Sequence, residues 1–367
     1  MKYFLYGYYG FGNYGDDLLL GVLLTRIRAA DPDARFVVRA RAPVAAFSAD
    51  PRVEFLLAEH ILEEQQRSRA SRFYRYTRAM CSAARECDVF VIGGGTLFID
   101  KGKPNWSLLF IHQAVRAAKR VGRRVVVSGV AIDILAHPLS LWLTRRIFAM
   151  ADFSAVRDAL SLAYFQDWER PPRLAADLAW LQALPSAAAS PGRRRTIGLN
   201  FIDYYRTSAS SVAGHQALRE SLAGLVERYR GQMEFRLIAL QKGIGQRDDW
   251  FLEEFRQLVP EGQIDYIDDL ESLEAALAAV DGVIATRFHL ALLAARRRIP
   301  TCIVDHELKL TSLAQDLALP TLPLAEFIQG GDADPIQRLA RFDAEATGQA
   351  AARMAARAEL NFSWMQQ

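Results

Sequence analysis

Two side chains able to grip an anion and move a proton stand two apart in Ile284-Ala285-Thr286-Arg287-Phe288-His289. The apolar run at 282–285 reads as a strand, and in extended chain residues i and i+2 point the same way. Arg287 and His289 are therefore expected to face one ligand. A guanidinium fork matches carboxylate or phosphate, and imidazole exchanges protons near neutral pH. The plainer roles are a structural ion pair for Arg287 and, for His289, a helix-start residue bonded to backbone. A similar strand end occurs at Ser154-Ala155-Val156-Arg157-Asp158, where Arg157 is either a ligand contact or the partner of Asp158. Lys309 follows Asp305-His306-Glu307 and the apolar run 301–304, and is expected at the same strand edge as Arg287.

Glycines mark two further places for close backbone approach. Gly7-Tyr8-Tyr9-Gly10-Phe11-Gly12-Asn13-Tyr14-Gly15-Asp16-Asp17 joins the first strand to an apolar helix. Glycine there admits positive φ, Asn13 tolerates the left-handed region, and Asp16 or Asp17 is placed to cap the helix. Amides at such a helix start attract anions; a tight strand–helix turn without ligand is the alternative. The segment is a poor dinucleotide fingerprint, because only Gly10-x-Gly12-x-x-Gly15 fits the spacing and Asp16-Asp17 would repel a pyrophosphate. With no Gly-Lys-Ser/Thr it is no P-loop either. The second place is Gly93-Gly94-Gly95-Thr96, beyond the run 89–92.

The elements that would position these residues alternate along the whole chain. Short β-branched or aromatic runs at 3–6, 36–38, 89–92, 125–127 and 153–156 suit strands buried on both faces of a parallel sheet. Helical patterns at 17–28, 59–85, 106–120, 139–150 and 159–168 fill the gaps. The small-residue, proline-containing stretch 184–192 reads as a linker. Beyond it, strands at 196–201, 235–240, 265–267, 282–285 and 301–304 alternate with helices at 212–229, 250–258, 270–279, 290–298 and 308–317. The expected fold class is α/β, with two Rossmann-like domains facing across a cleft: 1–184, 193–334 and a helical tail 335–367. Ligands of such sheets bind beyond the carboxyl ends of the strands, which is where the candidate residues fall.

Composition narrows the function. The chain has 367 residues, 51% hydrophobic and 24% charged, with a formal charge of +3, so it is neither disordered nor basic enough overall to suggest nucleic acid. It has no apolar run long enough to span a bilayer and no signal-peptide pattern. Three cysteines, Cys81, Cys87 and Cys302, fit a reducing compartment; a cytoplasmic protein is expected. His60, His112, His137 and His215 show no metal-ligand spacing, and neither metal nor cofactor is expected. The stretch 59–85, with Arg67, Arg69, Arg72, Arg75 and Arg78 beside Phe73, Tyr74 and Tyr76, reads as a solvated helix face or as a surface resting on the anionic inner membrane.

Taken together, the Gly7–Asp17 turn, Gly93-Gly94-Gly95-Thr96-Leu97-Phe98, Val156-Arg157-Asp158, Asp177-Leu178-Ala179-Trp180 and Thr286-Arg287-Phe288-His289 resemble the polysaccharide pyruvyl transferase family, in order and spacing, from Met1 to about Leu319. The resemblance implies a glycosyltransferase-B type fold and transfer of the enolpyruvyl unit of phosphoenolpyruvate, a co-substrate, to two hydroxyls of a glycan or lipid-linked sugar. It implies a donor site containing Arg287, His289, Arg157 and Lys309. His289, Arg287 and Asp16 are then the expected catalytic residues. Gly10, Gly12, Asn13, Asp17, Gly94 and Gly95 belong to an acceptor-side loop. The chain departs from the family at Gly129-Val130-Ala131-Ile132-Asp133, and where Asp305-His306-Glu307 replaces a tyrosine before Lys309. Two other readings remain: a nucleotide-sugar glycosyltransferase using Asp305 or Glu307 on the ribose, and a silent sugar-binding scaffold.

Overall fold

A computed structural model describes residues 1–100, 102–183, 195–202, 204, 212–242, 248–258, 264–330 and 333–366. The expected linker 184–192 lies outside the described residues. Two compact bodies emerge: Met1–Phe11, Asp16–Leu181 and Met354–Gln367 form the first, and Gly12–Gly15 and Gln182–Arg353 the second. The expected tail 335–367 is thus divided. Residues 335–353 stay with the second body, while the end of the chain returns to the first, where Asn361 Nδ2 donates to Ala176 O (2.8 Å) and Trp364 is buried.

The first body holds an eight-stranded parallel sheet: β1 (Lys2–Tyr9), β2 (Arg35–Ala40), β3 (Val53–Leu56), β4 (Val89–Gly93), β5 (Thr96–Phe98), β6 (Arg124–Ile132), β7 (Phe153–Val156) and β8 (Arg173–Leu174). The order is β3-β2-β1-β4-β6-β7-β8, with β5 beside β6. The middle strands are almost wholly buried along their length, as strands covered by helices on both faces must be. Phe4, Phe90 and Val127 pack there with Tyr76, Phe110 and Phe148 from the covering helices.

The second body repeats the plan with β9 (Thr196–Asn200), β10 (Glu234–Ala239), β11 (Ile264–Tyr266), β12 (Gly282–Ala285), β13 (Thr301–Asp305) and β14 (Thr321–Pro323), in the parallel order β11-β10-β9-β12-β13-β14. Chain order reverses between β1 and β4 in one sheet and between β9 and β12 in the other. In a sheet of this kind ligands bind beyond the carboxyl ends of the strands at its own switch point.

Boundaries differ from expectation where capping decides them. The helical pattern 59–85 is two helices, because Ser68 restarts the second by accepting from the Ser71 amide (3.2 Å). The tail breaks likewise at Asp343, which accepts from the Glu345 and Ala346 amides. The first helix begins at Tyr14, before either aspartate. Its cap is Asn13, whose Oδ1 accepts from the Gly15 amide (3.1 Å), and not Asp16 or Asp17.

Candidate functional site

The carboxyl edge of the second sheet brings charged side chains together around a strand end. Asn200 closes β9 and ties the switch point together. Its Oδ1 accepts from the Arg287 amide (3.1 Å), while its Nδ2 donates to Ile238 O (2.8 Å) and to Asp248 Oδ2 (3.1 Å). Asp248 is fully buried and accepts from the Leu240 and Gln241 amides (2.8 and 3.0 Å). Arg287 Nη2 donates to Asp248 Oδ1 at 2.9 Å. A buried carboxylate held by two amides and an amide side chain thus fixes the guanidinium, and hydrogen bonds to charged groups are the stronger kind. Neither Asn200 nor Asp248 stood out in the sequence; a polar residue closing an otherwise apolar run was the available signal for Asn200.

The geometry around His289 corrects the i, i+2 argument. Arg287 is the residue before the helix Phe288–Arg296, so the extended stretch ends there and His289 lies in the first helical turn. The imidazole is nearly buried, and its neighbour is the glycine turn. A Cβ on Gly15 would stand 2.1 Å from His289 Nδ1. At Gly12, φ is +77° and a Cβ would stand 2.0 Å from Lys242 O, whose own amide donates to Gly12 O (2.8 Å). Asn13 makes an isolated β-bridge with Gln241, and the Tyr14 amide donates to Leu240 O (3.0 Å). These glycines make room for backbone and for His289.

At the neighbouring strand end, Lys309 Nζ lies 2.8 Å from Glu307 Oε1. Burial raises the Glu307 carboxyl, but Lys309, His306 and Arg287 outweigh it and leave the group below its ordinary value. His306 was noticed in the sequence only as a departure. Its side chain is buried against the Tyr204 ring (5.1 Å between centroids), with Nε2 3.5 Å from Glu307 Oε1. Burial, Lys309 and Arg287 lower its pKa against the pull of Glu307, so the imidazole is neutral at pH 7. Asp305 is occupied in local structure, accepting from the Glu307 amide (3.2 Å) and Thr311 Oγ1 (2.5 Å).

The first body gathers a different group at its own switch point. The Gly10 amide donates to Asp17 Oδ1 at 2.7 Å. Burial pushes the Asp17 carboxyl up to about 7, opposed by that bond and aided by Asp16. Gly95, with φ +74°, brings its backbone to Asp16: a Cβ there would stand 2.9 Å from Asp16 Oδ1, and one on Gly94 as close to Leu19. Asp16, Asp17, Gly10, Gly94 and Gly95 therefore share one edge, whereas Gly12 and Asn13 belong with the second body. Arg157 is turned inward. Its Nη1 donates to Asp177 (2.9 Å), its Nε lies 3.3 Å from Asp158, and its Nη2 lies 3.3 Å from Thr96 Oγ1. The ion-pair alternative for Arg157 is the one this geometry favours.

Comparison with known proteins agrees with the architecture. The family model described as polysaccharide pyruvyl transferase matches residues 13–307. No curated protein matches the chain. Among solved structures, UDP-GlcNAc 2-epimerase from Neisseria meningitidis bound to UDP-GlcNAc aligns with TM-score 0.57 at 9% identity, covering 99% of each chain. The S. aureus MnaA-UDP co-structure gives 0.60 at 8%, covering 98% of this chain and 92% of the other. Acinetobacter baumannii MurG gives 0.53 at 11%, covering 100% and 98%. At such identities the likeness speaks to fold alone, and that fold is the glycosyltransferase-B type.

Proposed function

The chain belongs to the polysaccharide pyruvyl transferase family, and from that premise we propose that it transfers the enolpyruvyl group of phosphoenolpyruvate to two hydroxyls of a glycan or lipid-linked sugar, closing a pyruvate ketal and releasing phosphate. The observation that carries this reading is the cluster at the carboxyl edge of the second sheet: Arg287 fixed by Asp248, Lys309 beside Glu307, and the imidazoles of His289 and His306. A trianionic donor requires preorganised cations and hydrogen-bond donors, which act most strongly where water is excluded.

In this mechanism Arg287 and Lys309 bind the carboxylate and phosphate of phosphoenolpyruvate. His289 donates a proton to C3, and C2 becomes oxocarbenium-like. A sugar hydroxyl adds to C2 as its proton passes to a carboxylate. Asp17, near 7, is matched to that task at neutral pH, and Asp16 is its neighbour. The C2–O bond to phosphate breaks, phosphate leaves, and the second hydroxyl closes the ketal, its proton leaving with the phosphate. Arg157 serves this reaction by holding Asp177 and Asp158.

The test is phosphate release from phosphoenolpyruvate with lipid-linked and nucleotide-linked sugars, followed by mass spectrometry of the sugar. A gain of one pyruvate unit less water is expected. Full release by Arg287→Ala and His289→Ala variants would overturn the reading. So would heat of binding for a UDP-sugar and none for phosphoenolpyruvate, which would favour a nucleotide-sugar glycosyltransferase.

A further inference from the structure

Three helices of the first body, Arg69–Glu86, Trp106–Arg120 and Pro138–Met150, pack side by side as one layer against the sheet. Aromatic contacts join neighbouring helices, Phe73 and Tyr76 to Phe110 and His112 to Trp142. The segments are remote in sequence, and their charge is one-sided. Together they carry ten basic side chains and one acidic, Glu86, so this layer alone exceeds the +3 of the whole chain.

The outer surface of the layer is also apolar in a patterned way. Tyr74, Trp106 and Trp142 are 65%, 58% and 52% exposed, one on each helix. Arg78 stands one turn beyond Tyr74 and Arg146 one turn beyond Trp142, on the same faces. The middle helix continues from Trp106 to exposed Arg116 and Arg120. Among the described residues these four arginines make no ion pair, although nearby Arg75, Lys119 and Arg145 pair with Glu64, Asp152 and Asp167. An aromatic row thus lies at the helix N-terminal ends with a basic field behind it.

We propose that this face docks the protein on an anionic phospholipid bilayer, the aromatic row entering the headgroup zone and the arginines meeting lipid phosphates. Tryptophan and tyrosine suit that zone because each joins an apolar body to a polar tip, and unpaired basic residues gain from the negative surface. A polyanion in solution would use the arginines and leave the aromatic row without an apolar counterpart. No described helix is long and apolar enough to cross a membrane, so the attachment is peripheral. Trp106 and Trp142 belong to helices that follow β5 and β6, and β5 begins directly after Gly95. The docking is independent of the donor chemistry.

The experiment is flotation of the full chain with vesicles of phosphatidylcholine alone or with about 30% phosphatidylglycerol. Binding at least about tenfold tighter to the anionic vesicles is expected, weakening in high salt. Trp106→Ala/Trp142→Ala should lower it about tenfold with the fold retained by circular dichroism, since both rings are more than half exposed although they touch Phe73 and His112. Arg78→Glu/Arg146→Glu should remove the preference for anionic lipid. Three results would overturn the proposal: no preference for anionic vesicles, binding untouched by the aromatic pair, or a stable dimer that the same substitutions dissociate. Capture of an oligonucleotide by the arginines alone, without vesicle binding, would also exclude it.

Discussion

Arg157 and Arg287 each follow an inner parallel strand, β7 in the first body and β12 in the second, and meet opposite surroundings. Arg157 sits between two carboxylates, Asp177 and Asp158, with its side chain 3% exposed. Arg287 pairs with Asp248, itself held by two amides, and its side chain is 13% exposed. The first arrangement neutralises a cation and locks a strand end. The second holds a cation at a less enclosed strand end. Strand-end position is common to both, and the degree of enclosure and the way the neighbouring carboxylates are held differ.

The comparison breaks most directly at Arg157. Arg157→Ala leaves Asp177 buried without its counter-charge and should cost about 3–5 kcal/mol in urea unfolding. Arg287→Ala should cost far less stability, since Asp248 keeps its amides, yet lower phosphate release on the order of 10²–10³-fold. A reversed outcome, with Arg157→Ala inactive but fully stable, would make Arg157 the donor contact.

Asp17 sharpens the contrast through pH. Its carboxyl stands near 7 in the fold against an ordinary 3.8. A raised carboxyl favours the folded state while protonated, so this contribution is complete below about pH 4 and is lost as pH rises through about 7. Asp17→Asn retains an acceptor for the Gly10 amide and should remove that window. Between pH 5 and 8 the parent should lose on the order of 2 kcal/mol relative to the variant, read from paired urea titrations. The smallest effect is expected at Gly15. Gly15→Ala pushes a methyl into the His289 imidazole and should slow turnover about tenfold through displacement of the proton donor, with a modest fall in Tm because the overpacking outweighs alanine's preference for the helix.

Much of this was legible in the chain. Buried parallel strands announce themselves as unbroken apolar runs, and the inner strands of both sheets fall where the sequence predicts. Val53–Leu56, carrying Glu54, and the short β5, β8 and β14 lacked that signal. Arg287, His289 and Lys309 were legible from their place after strands, and Asp16 from its glycine turn. Asn200, Asp248 and His306 were not, because their importance lies in contacts between strands far apart in sequence. The same limit hid the basic layer: a net charge of +3 averages away a face assembled from three segments. The glycine turn was legible as a site of close approach, but what approaches Gly12 and Gly15 is the second body's own backbone and histidine.

The divided tail bears on how the protein can be taken apart. Ser128 Oγ donates to Asn361 O (3.0 Å), Asn361 reaches back to Ala176, and Trp364 packs on Tyr3. A fragment stopped at residue 181 therefore keeps the whole first sheet but loses the last segment of its own core, while Gly12–Gly15 would be missing from a fragment begun at 182. Neither half is a contiguous stretch of gene. A separable first domain has to be built as a permuted chain in which 354–367 is carried along, and a stop codon between 182 and 354 removes that part of the first body's packing while leaving its sheet in the chain.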